Sequence, residues 1–407
     1  MTPSKLRIVH CFRSPVGGIF RHVRDLIEAQ LAEGHEVGIL CDSITGGAFE
    51  EKLIAEIAPK LSLGVHRVTM RRSIAPSDIA DLWRTYALIR DIKPDVLHGH
   101  GAKGGAYARL VGSAMRFSGK RTARLYTPHG GSMHYDPKTL SGRVFFLLEG
   151  LLEKFTDHLL FVSEYEQKAY QRKVGMPKVA SRVVHNGLSH GEFEPVAPVP
   201  DAADFLYLGM LRSLKGPDIF INALAELTRA GDRPATAVVV GAGEQKPELM
   251  KLVEEQVPGL VRFVEPMPAR EALKLAQVMV LPSRADSLPY VVLEALAADR
   301  PVIAVDVGGV SEIIPPSVQP LVKPMDSRAL AEAMAARLNA PQEIPKALRQ
   351  HVRTRFSIDK MAGDTMAAYR RALAGQTVPT LHAEAPRSTI EAIDPPAEMP
   401  QTFAKKS

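Results

Sequence analysis

The acidic residues Asp286 and Glu294 have the spacing that most strongly indicates chemistry in this sequence. Asp286 lies in a turn after an apolar, strand-like segment, and a helix is predicted to begin close behind it. Glu294 would lie on that helix, about two turns further on at 1.5 Å per residue. Because a helix N-terminus favours phosphate, Glu294 could bind ribose hydroxyls there while Asp286 reaches a transferred sugar. The alternative is a helix-capping Asp286 and an ion-paired Glu294.

A basic, glycine-containing segment follows the first predicted strand of the second half of the chain. Gly209 begins it, Arg212 and Lys215 lie three residues apart, and a helix is predicted directly behind them. Two cations beside the free amide groups of a helix N-terminus favour a diphosphate. Gly241 lies in a glycine turn after the next strand, where the backbone could approach a nucleotide, although the full spacing of a dinucleotide fingerprint is absent.

The first half of the chain offers a glycine pair and several histidines. Gly17 and Gly18 separate a strand-like segment from a helix, an arrangement that lets backbone amide groups approach phosphate. His129 ends a later strand and precedes another glycine pair, so its imidazole could form a hydrogen bond to a bound sugar. His98 and His100 end a further strand, and since no carboxylate cluster lies near them in the sequence, we expect no metal site.

Short apolar segments rich in valine, isoleucine and leucine alternate with segments of helical periodicity. This alternation predicts parallel strands in doubly wound α/β sheets. The pattern stops at the proline-containing segment 194–201 and then begins again, which predicts two domains joined by a hinge-like linker. The predicted strands are 6–12, 36–42, 65–70, 95–100, 124–128, 159–163, 205–211, 236–241, 261–264, 278–282 and 302–306. The predicted helices include 19–33, 79–92, 105–115, 144–155, 216–229 and 290–298.

Each candidate follows a predicted strand, and ligands of open parallel sheets bind beyond the carboxyl ends of the strands. We therefore predict an N-terminal Rossmann-like, acceptor-binding domain over residues 1–190 and a C-terminal, nucleotide-binding one over 191–356. A last amphipathic helix is predicted over 357–374. Residues 375–407 are rich in proline, alanine, glutamate and threonine, which predicts a disordered tail.

Composition and charge restrict the class of protein and its partners. Of 407 residues, 45% are hydrophobic and 24% are charged, which is typical of soluble globular proteins. No segment approaches the ~18 apolar residues of a membrane helix, and no signal peptide is recognisable, so we expect a cytoplasmic protein. Cys11 and Cys41 are interpreted as buried thiols. The net charge is +9 over residues 1–190 and −2 over 191–374, which would suit an anionic partner of the first half.

Taken together and in this order, these segments resemble the family-4 retaining glycosyltransferases of the GT-B fold. The resemblance extends from about residue 5 to about residue 373, and it includes the strand Pro301–Ala304 that leads to Gly308 and Gly309. It implies two Rossmann-like, doubly wound domains facing a central cleft. It also implies a C-terminal helix that crosses back to the N-terminal domain.

The resemblance implies a role for each candidate residue. Arg212 and Lys215 would bind the donor diphosphate, and Glu294 would bind the ribose. Where the family has a glutamate and a Gly-Phe-Gly-like turn, this sequence has Asp286 and Ser287-Leu288-Pro289. The implied catalytic residues are His129, Arg212, Lys215 and Asp286. The implied donor-binding residues are Gly17, Gly18, Gly209, Arg212, Lys215, Gly241, Ser287, Leu288, Pro289 and Glu294.

The expected reaction moves a sugar from a UDP-sugar or GDP-sugar to an acceptor hydroxyl with retention of configuration. Arg212, Lys215 and helix N-termini can stabilise the leaving diphosphate, so we expect no metal and no other cofactor. The expected acceptor is a glycan or a polyprenyl-diphosphate-linked intermediate of envelope or exopolysaccharide assembly. Basic residues of the helix 18–33, such as Arg21, His22 and Arg24, could meet an anionic membrane at its inner face.

Two other functions stay open on the sequence alone. A nucleotide-sugar 2-epimerase can share the two-domain fold and would act on the donor without an acceptor. A non-catalytic nucleotide-sugar or nucleic-acid binder is compatible with the basic first half, but the acids at the predicted cleft would repel a nucleic acid. A nicotinamide dehydrogenase is disfavoured because no complete glycine fingerprint opens either domain.

Overall fold

Two parallel β-sheets form the framework of the chain in a computed structural model that describes residues 5–71, 76–117, 119, 121–231, 233–338 and 343–375. The first sheet has seven strands in the order β3-β2-β1-β4-β5-β6-β7, and the second has five in the order β10-β9-β8-β11-β12. The strands of the first sheet are β1 Arg7–Phe12, β2 Glu36–Asp42, β3 Val65–Val68, β4 Val96–His100, β5 Ala123–Thr127, β6 His158–Phe161 and β7 Ala180–Val183. Those of the second are β8 Ala203–Leu208, β9 Ala237–Val240, β10 Val261–Val264, β11 Ala276–Leu281 and β12 Val302–Ala304.

Helices connect the strands and cover the sheets. In the first half they are α1 Gly17–Ala32, α2 Ala48–Ile57, α3 Ser77–Ile92, α4 Gly101–Phe117, α5 Leu140–Glu153 and α6 Glu164–Lys173. In the second half they are α7 Pro217–Ala230, α8 Lys246–Gln256, α9 Ala269–Ala272, α10 Tyr290–Ala297, α11 Val310–Ile313, α12 Ser327–Leu338, α13 Lys346–Arg355 and α14 Ile358–Ala374. Among the described residues, none of these helices combines the length and apolarity that crossing a bilayer requires.

The central strands are buried along most of their length because helices pack on both faces of each sheet. In the second sheet, Leu206 and Met279 belong to one hydrophobic cluster, whereas Phe205 and Val278 belong to another. Neighbouring residues of a strand point to opposite faces, so each sheet separates two parts of the core. The prediction of two doubly wound parallel sheets is confirmed.

The segment 194–201 packs against the second domain. Val196 is 7% exposed and belongs to the core of that domain, and its amide donates to the carbonyl of Ala298 over 2.9 Å. The amide of Val199 donates to the carbonyl of Lys274, also over 2.9 Å. The prediction of a hinge-like linker here is wrong, because a buried valine and two backbone hydrogen bonds fix the segment.

The chain crosses between the domains twice, and the two crossings lie side by side. The amide of Leu188 donates to the carbonyl of Phe356, and the amide of Ile358 donates back to the carbonyl of Leu188, each over 2.9 Å. Behind the second crossing, α14 packs its methionines and Tyr369 against Leu6 and Ile8 in the core of the first domain. The helix therefore returns to the first domain. Gly375 ends it, and the rest of the predicted tail lies outside the described residues.

A substitution at Gly308 would test how closely the loops of the second domain pack. Gly308 has φ of +60°, and an added Cβ would lie 1.4 Å from the carbonyl oxygen of Asp286. Gly34 is a matched control, because it has φ of +83° and no atom lies within 4 Å of its added Cβ. We expect Gly34→Ala to lower the free energy of unfolding by about 1–2 kcal/mol, the cost of the left-handed backbone alone. Gly308→Ala should lower the free energy of unfolding in urea distinctly more than Gly34→Ala does. Equal losses of stability in the two variants would contradict the close packing at Gly308.

Candidate active site

The carboxyl ends of β8 and β11 bring the basic segment and the first acid together. Nζ of Lys215 donates to Oδ2 of Asp286 over 2.5 Å, and both side chains are largely buried. Asp286 does not cap α10, since the residue at the N-cap position is Pro289. The capping alternative for Asp286 is therefore wrong. The ion pair holds a cation and an acid at the carboxyl edge of the sheet, beside the start of α10.

Arg212 is a half-buried cation that has no counter-ion among the described residues. Its Nε is buried and has no hydrogen-bond partner, and no described carboxylate lies within 4.0 Å of its guanidinium. An arginine stays charged at any physiological pH, and a buried charge is costly unless it is paired. Arg212 directly precedes the short 3₁₀ turn Ser213–Lys215, behind which α7 begins. This corner of the domain is suited to an anion.

The glycines of this edge let the loops pack backbone against backbone. An added Cβ at Gly241 would lie 1.9 Å from the carbonyl oxygen of Gly209, and one at Gly216 would lie 2.2 Å from that of Pro282. The amide of Gly209 donates to the carbonyl of Val240 over 3.1 Å. Loop packing therefore accounts for Gly209 and Gly241, and their contact with a donor stays a prediction.

The turn before α10 is held from both sides. The carbonyl of Ser287 accepts from the amide of Gly309, and the carbonyl of Leu288 accepts from Nδ2 of Asn186, each over 2.9 Å. The side chain of Leu288 is buried in the core, so a ligand could reach only its backbone. Pro289 is the residue from which α10 begins.

Glu294 meets the first domain through Arg21. Nη1 of Arg21 donates to Oε1 of Glu294 over 3.0 Å, Nη2 contacts Glu192 at 2.6 Å, and Nε contacts Asp25 at 2.8 Å. The guanidinium also lies 5.5 Å from the ring centre of Tyr290. Arg21 thus joins α1 to α10, and the ion-paired alternative for Glu294 describes what the structure shows.

The same contacts correct the expected membrane surface on α1. Arg21 is occupied by three carboxylates, and the imidazole of His22 is 2% exposed, with Nδ1 3.0 Å from Oδ1 of Asn186. Neither side chain is available to a membrane. The sequence showed the basic residues but not that acids of two domains surround them.

Burial shifts the pKa values of the acids that surround Arg21. It raises the pKa of Glu294 to about 7 and that of Asp25 to about 6, while the charge of Arg21 acts in the opposite direction. Three carboxylates share one guanidinium, so each repels the others. The cluster therefore changes its protonation near neutral pH.

The glycine pair at the start of α1 faces the loop of Met210 and the first residue of α10 in the second domain. An added Cβ at Gly17 would lie 3.7 Å from Cε of Met210, and one at Gly18 would lie 3.8 Å from the ring of Tyr290. Together with Arg21, these contacts close the first turns of α1 onto the segments that carry Arg212 and Glu294. The structure thus brings the predicted residues of both domains to one interface.

Five histidines of the first domain form one cluster: His10, His22, His98, His100 and His129. Four are buried and His129 is half-buried. The sequence pattern did not reveal that His10 and His22 belong to this cluster, because their proximity arises from strand pairing, which aligns His10 with His98, and from the packing of α1. Two groups of three, centred on His100, have ring nitrogens within 4.8 Å of one another, which is close enough for a metal. The lack of carboxylates is therefore no argument against a metal here.

Two family models match the chain, one on each domain. Glycosyltransferase Family 4 matches residues 16–191, and Glycosyl transferases group 1 matches residues 202–340. With the two Rossmann-like domains, these matches define a glycosyltransferase of the GT-B fold. The chain belongs to the family-4 glycosyltransferases, as the resemblance predicted.

Individual relatives are more distant. The chain is 31% identical over 244 residues to a D-inositol 3-phosphate glycosyltransferase of Streptomyces bingchenggensis, covering 54% of each protein. It is 31% identical over 260 residues to the putative teichuronic acid biosynthesis glycosyltransferase TuaC of Bacillus subtilis, covering 60% of this chain and 61% of that protein. The matches thus span about half the length of the first curated relatives.

Solved structures share the fold. A sucrose-phosphate synthase from Thermosynechococcus elongatus aligns with a TM-score of 0.72 and 22% identity, over 90% of this chain and 99% of that one. HepE of Anabaena, solved in complex with UDP-glucose, aligns with a TM-score of 0.71 and 17% identity, over 89% of this chain and all of that one. At these identities, the likeness establishes the two-domain architecture.

Removing Arg21 would show how strongly the acids depend on it. We expect Arg21→Met to lower the free energy of unfolding by about 3 kcal/mol at pH 8, since three partly buried carboxylates lose their cation. The carboxyl pKa values already lie above their ordinary range, so the folded state binds protons as the pH falls through about 7 and 6. The loss should therefore be smaller at pH 5.5 than at pH 8.

The matched control for this experiment is Arg84→Met. Arg84 is 78% exposed in its side chain and pairs with Asp81 on α3. Its removal should change stability by less than about 1 kcal/mol at both pH values. Equal effects of the two substitutions in thermal unfolding would contradict the role assigned to Arg21.

Proposed function

We propose that the chain is a retaining, metal-independent glycosyltransferase that uses a nucleoside diphosphate sugar as donor. The observation that carries the proposal is the uncompensated Arg212 beside Lys215, at the carboxyl edge of the second sheet. Two cations, only one of which has a carboxylate partner, give this corner a net positive charge. A diphosphate is the leaving group that this charge would stabilise best.

The reaction breaks the bond between the anomeric carbon and the diphosphate oxygen and forms a bond from that carbon to the acceptor oxygen. The new bond forms on the face that the diphosphate leaves, so the configuration is retained. The proton of the acceptor hydroxyl passes to the departing phosphate oxygen. Arg212 and Lys215 would stabilise the charge on that oxygen, and closure of the domains would exclude water from the donor.

The two acids would divide the rest of the donor between them. A diphosphate that takes up Lys215 would free Asp286, which then faces the transferred sugar. Arg21 occupies Oε1 of Glu294, and Oε2 has no described partner, so one oxygen is free for the ribose hydroxyls. Glu294 would thereby bind the donor while it holds α1 against α10.

The relatives guide the choice of substrates to test. HepE, which shares the fold, was solved with UDP-glucose, so UDP-sugars come first and GDP-sugars second. TuaC is described as a putative glycosyltransferase of teichuronic acid biosynthesis. We propose a glycan or a polyprenyl-diphosphate-linked intermediate of envelope or exopolysaccharide assembly as the acceptor.

The surface of α5 supports contact with an anionic membrane. The acids of this helix face the interior of the domain, whereas apolar side chains face outward. Glu149 accepts hydrogen bonds from Arg109 and Tyr126, and Glu153 accepts one from Tyr170. Its outward stripe is apolar and consists of Leu140, Val144, Leu147 and Leu151, all exposed. These positions recur at intervals of three and four residues, so they lie on one face of the helix.

The charged residues next to this apolar stripe favour a lipid surface as its binding partner. The exposed charged residues on and next to α5 are the cations Lys138, Arg143 and Lys154 and the acid Asp136, so cations predominate. An apolar stripe bordered by cations is typical of helices that lie in an anionic bilayer surface. We therefore propose that the first domain rests on the inner face of the membrane through α5, while the bulk of the protein stays cytoplasmic.

A substitution of Lys215 tests the proposed diphosphate site. We expect Lys215→Ala to lower kcat about 10²–10³-fold, because a preorganised charge on the leaving group is lost. Lys274→Ala is the control, since Lys274 also pairs with an acid, Glu271, but on an exposed helix. Transfer from UDP-glucose or GDP-mannose to a polyprenyl-diphosphate glycan would be measured. Near-normal kcat in Lys215→Ala would contradict the proposal.

The same assay separates transfer from its alternatives. Retention requires that the α-linked donor give an α-linked product, and EDTA should leave the rate unchanged. A sugar epimer formed without acceptor would identify a 2-epimerase instead. Binding of UDP without any turnover of its sugars would identify a non-catalytic binder.

The membrane contact has its own test. We expect the protein to co-sediment with vesicles of phosphatidylglycerol and phosphatidylcholine, and Leu147→Gln to weaken binding about tenfold, as the loss of one buried leucine predicts. Met250→Gln is the control, because Met250 is a similarly exposed apolar residue on α8. Unchanged binding by Leu147→Gln would contradict the proposed surface. A dimer in light scattering that this substitution dissolves would assign the stripe to a second copy.

A further inference from the structure

Three histidines of the buried cluster form a continuous chain of hydrogen bonds. Nδ1 of His10 lies 3.0 Å from Nε2 of His100, and Nδ1 of His100 lies 3.0 Å from Nε2 of His129. At the other end, Nε2 of His10 lies 2.9 Å from Oε1 of Gln30 on α1. The chain runs from a glutamine in the interior of the first domain to the half-exposed His129.

The three rings are neutral. Burial lowers the pKa of His10 to about 4 and those of His100 and His129 well below the ordinary value. A neutral imidazole carries a proton on one ring nitrogen and a lone pair on the other. A chain of neutral imidazoles therefore has a direction, because the tautomer of one ring fixes the tautomer of the next.

Gln30 sets this direction through its second contact. Its Nε2 donates to the hydroxyl of Tyr369 over 3.5 Å, which turns its Oε1 toward His10. The hydroxyl of Tyr369 can then donate to Nδ1 of His98 over 2.7 Å, and Nε2 of His98 can donate to Oγ1 of Thr127 over 2.8 Å. Each of these three contacts thus pairs one donor with one acceptor.

The proton positions follow from the glutamine oxygen. It accepts from Nε2–H of His10, so Nδ1 of His10 carries a lone pair and accepts from Nε2–H of His100. Nδ1 of His100 then accepts from Nε2–H of His129. The remaining nitrogen, Nδ1 of His129, carries a lone pair, and no described residue bonds to it.

This free nitrogen belongs to a residue at the interface of the two domains. The ring of His129 lies 4.7 Å from that of His22, centre to centre. His22 contacts Asn186, whose Nδ2 donates to the carbonyl of Leu288 in the turn behind Asp286. His22 and Asn186 thus connect the end of the imidazole chain to the segment that the proposed function assigns to the donor sugar.

We propose that Gln30 is a positioning residue that acts through His10 and His100 to hold His129 in the tautomer with an unprotonated Nδ1. His129 then accepts a hydrogen bond from a hydroxyl of the donor sugar and gives none. The inference rests on the proposed function for its ligand, but the tautomer is a property of the free protein. It implies that the site discriminates against a sugar that lacks this hydroxyl, since a polar group would be left unpaired.

The tautomer can be measured without any substrate. In protein labelled with ¹⁵N and ¹³C in histidine, long-range ¹H–¹⁵N correlation spectra distinguish a protonated Nε2 from a protonated Nδ1. We expect protonated Nε2 for His10, His100 and His129, and a mixture of tautomers at His129 in Gln30→Met. Tyr107→Phe is the control, because the buried hydroxyl of Tyr107 on α4 has no hydrogen-bond partner among the described residues, so its removal should leave His129 unchanged.

Kinetics then test the positioning role. We expect Gln30→Met to lower kcat/KM for the donor about tenfold, which corresponds to one lost hydrogen bond, and Tyr107→Phe to have little effect. For donors that each lack one hydroxyl, kcat/KM should be compared between wild type and Gln30→Met. The two values should be nearly equal for the donor that lacks the recognised hydroxyl. A general loss of structure would instead lower kcat/KM for all donors by the same factor.

Several results would overturn the inference. A protonated Nδ1 on His129 in the wild type, or an unchanged tautomer in Gln30→Met, would exclude the chain as the cause. A stoichiometric metal bound through His100 in the purified protein would do the same, because coordination would replace the hydrogen bonds. If no donor is turned over by the wild type, the proposed function fails, and the spectra still decide the tautomer.

Discussion

The close backbone packing of loops at the carboxyl edge of the second sheet is the constraint on which the site depends. Gly216, Gly241 and Gly308 each lie where a side chain would overlap a neighbouring carbonyl oxygen. This packing holds the segments of Arg212, Lys215 and Asp286 against one another before any ligand arrives. A preorganised group of charges is what stabilises a leaving group without reorganisation during the reaction. The glycines therefore support the proposed site indirectly, because they allow the loops that carry Arg212, Lys215 and Asp286 to pack closely.

Contact between the domains depends on the ion pairs that Arg21 forms. Arg21 binds acids of both domains, and the pKa of Glu294 lies near 7 because that acid is buried among other carboxylates. The residue that the family resemblance assigns to the donor ribose thus also belongs to the interdomain ion pairs. Under the proposed function, this carboxylate would serve both donor binding and the contact between the domains. The two crossings of the chain, at Leu188 and Ile358, lie side by side.

The sequence predicted the parts of this structure that depend on local pattern. Apolar strands alternating with helices fixed the two doubly wound sheets, and the order of the segments predicted the family. It did not reveal α2, α6 or α8, and apolar residues are sparse in the last two of these helices. It also misjudged Arg21, His22 and segment 194–201, because their surroundings come from distant parts of the chain. His10 is the clearest case: its role arises from pairing of β1 with β4, and no spacing in the sequence records that.

The central claim is that Arg212 and Lys215 bind the diphosphate of a nucleotide. Calorimetric titration of the protein with UDP and with uridine measures this most directly, because the two ligands differ only in the diphosphate. The account predicts that UDP binds at least 100-fold more tightly than uridine, about 2.7 kcal/mol, and that Arg212→Gln removes most of the difference. Equal affinities of UDP and uridine, or a difference that survives Arg212→Gln combined with Lys215→Gln, would contradict it.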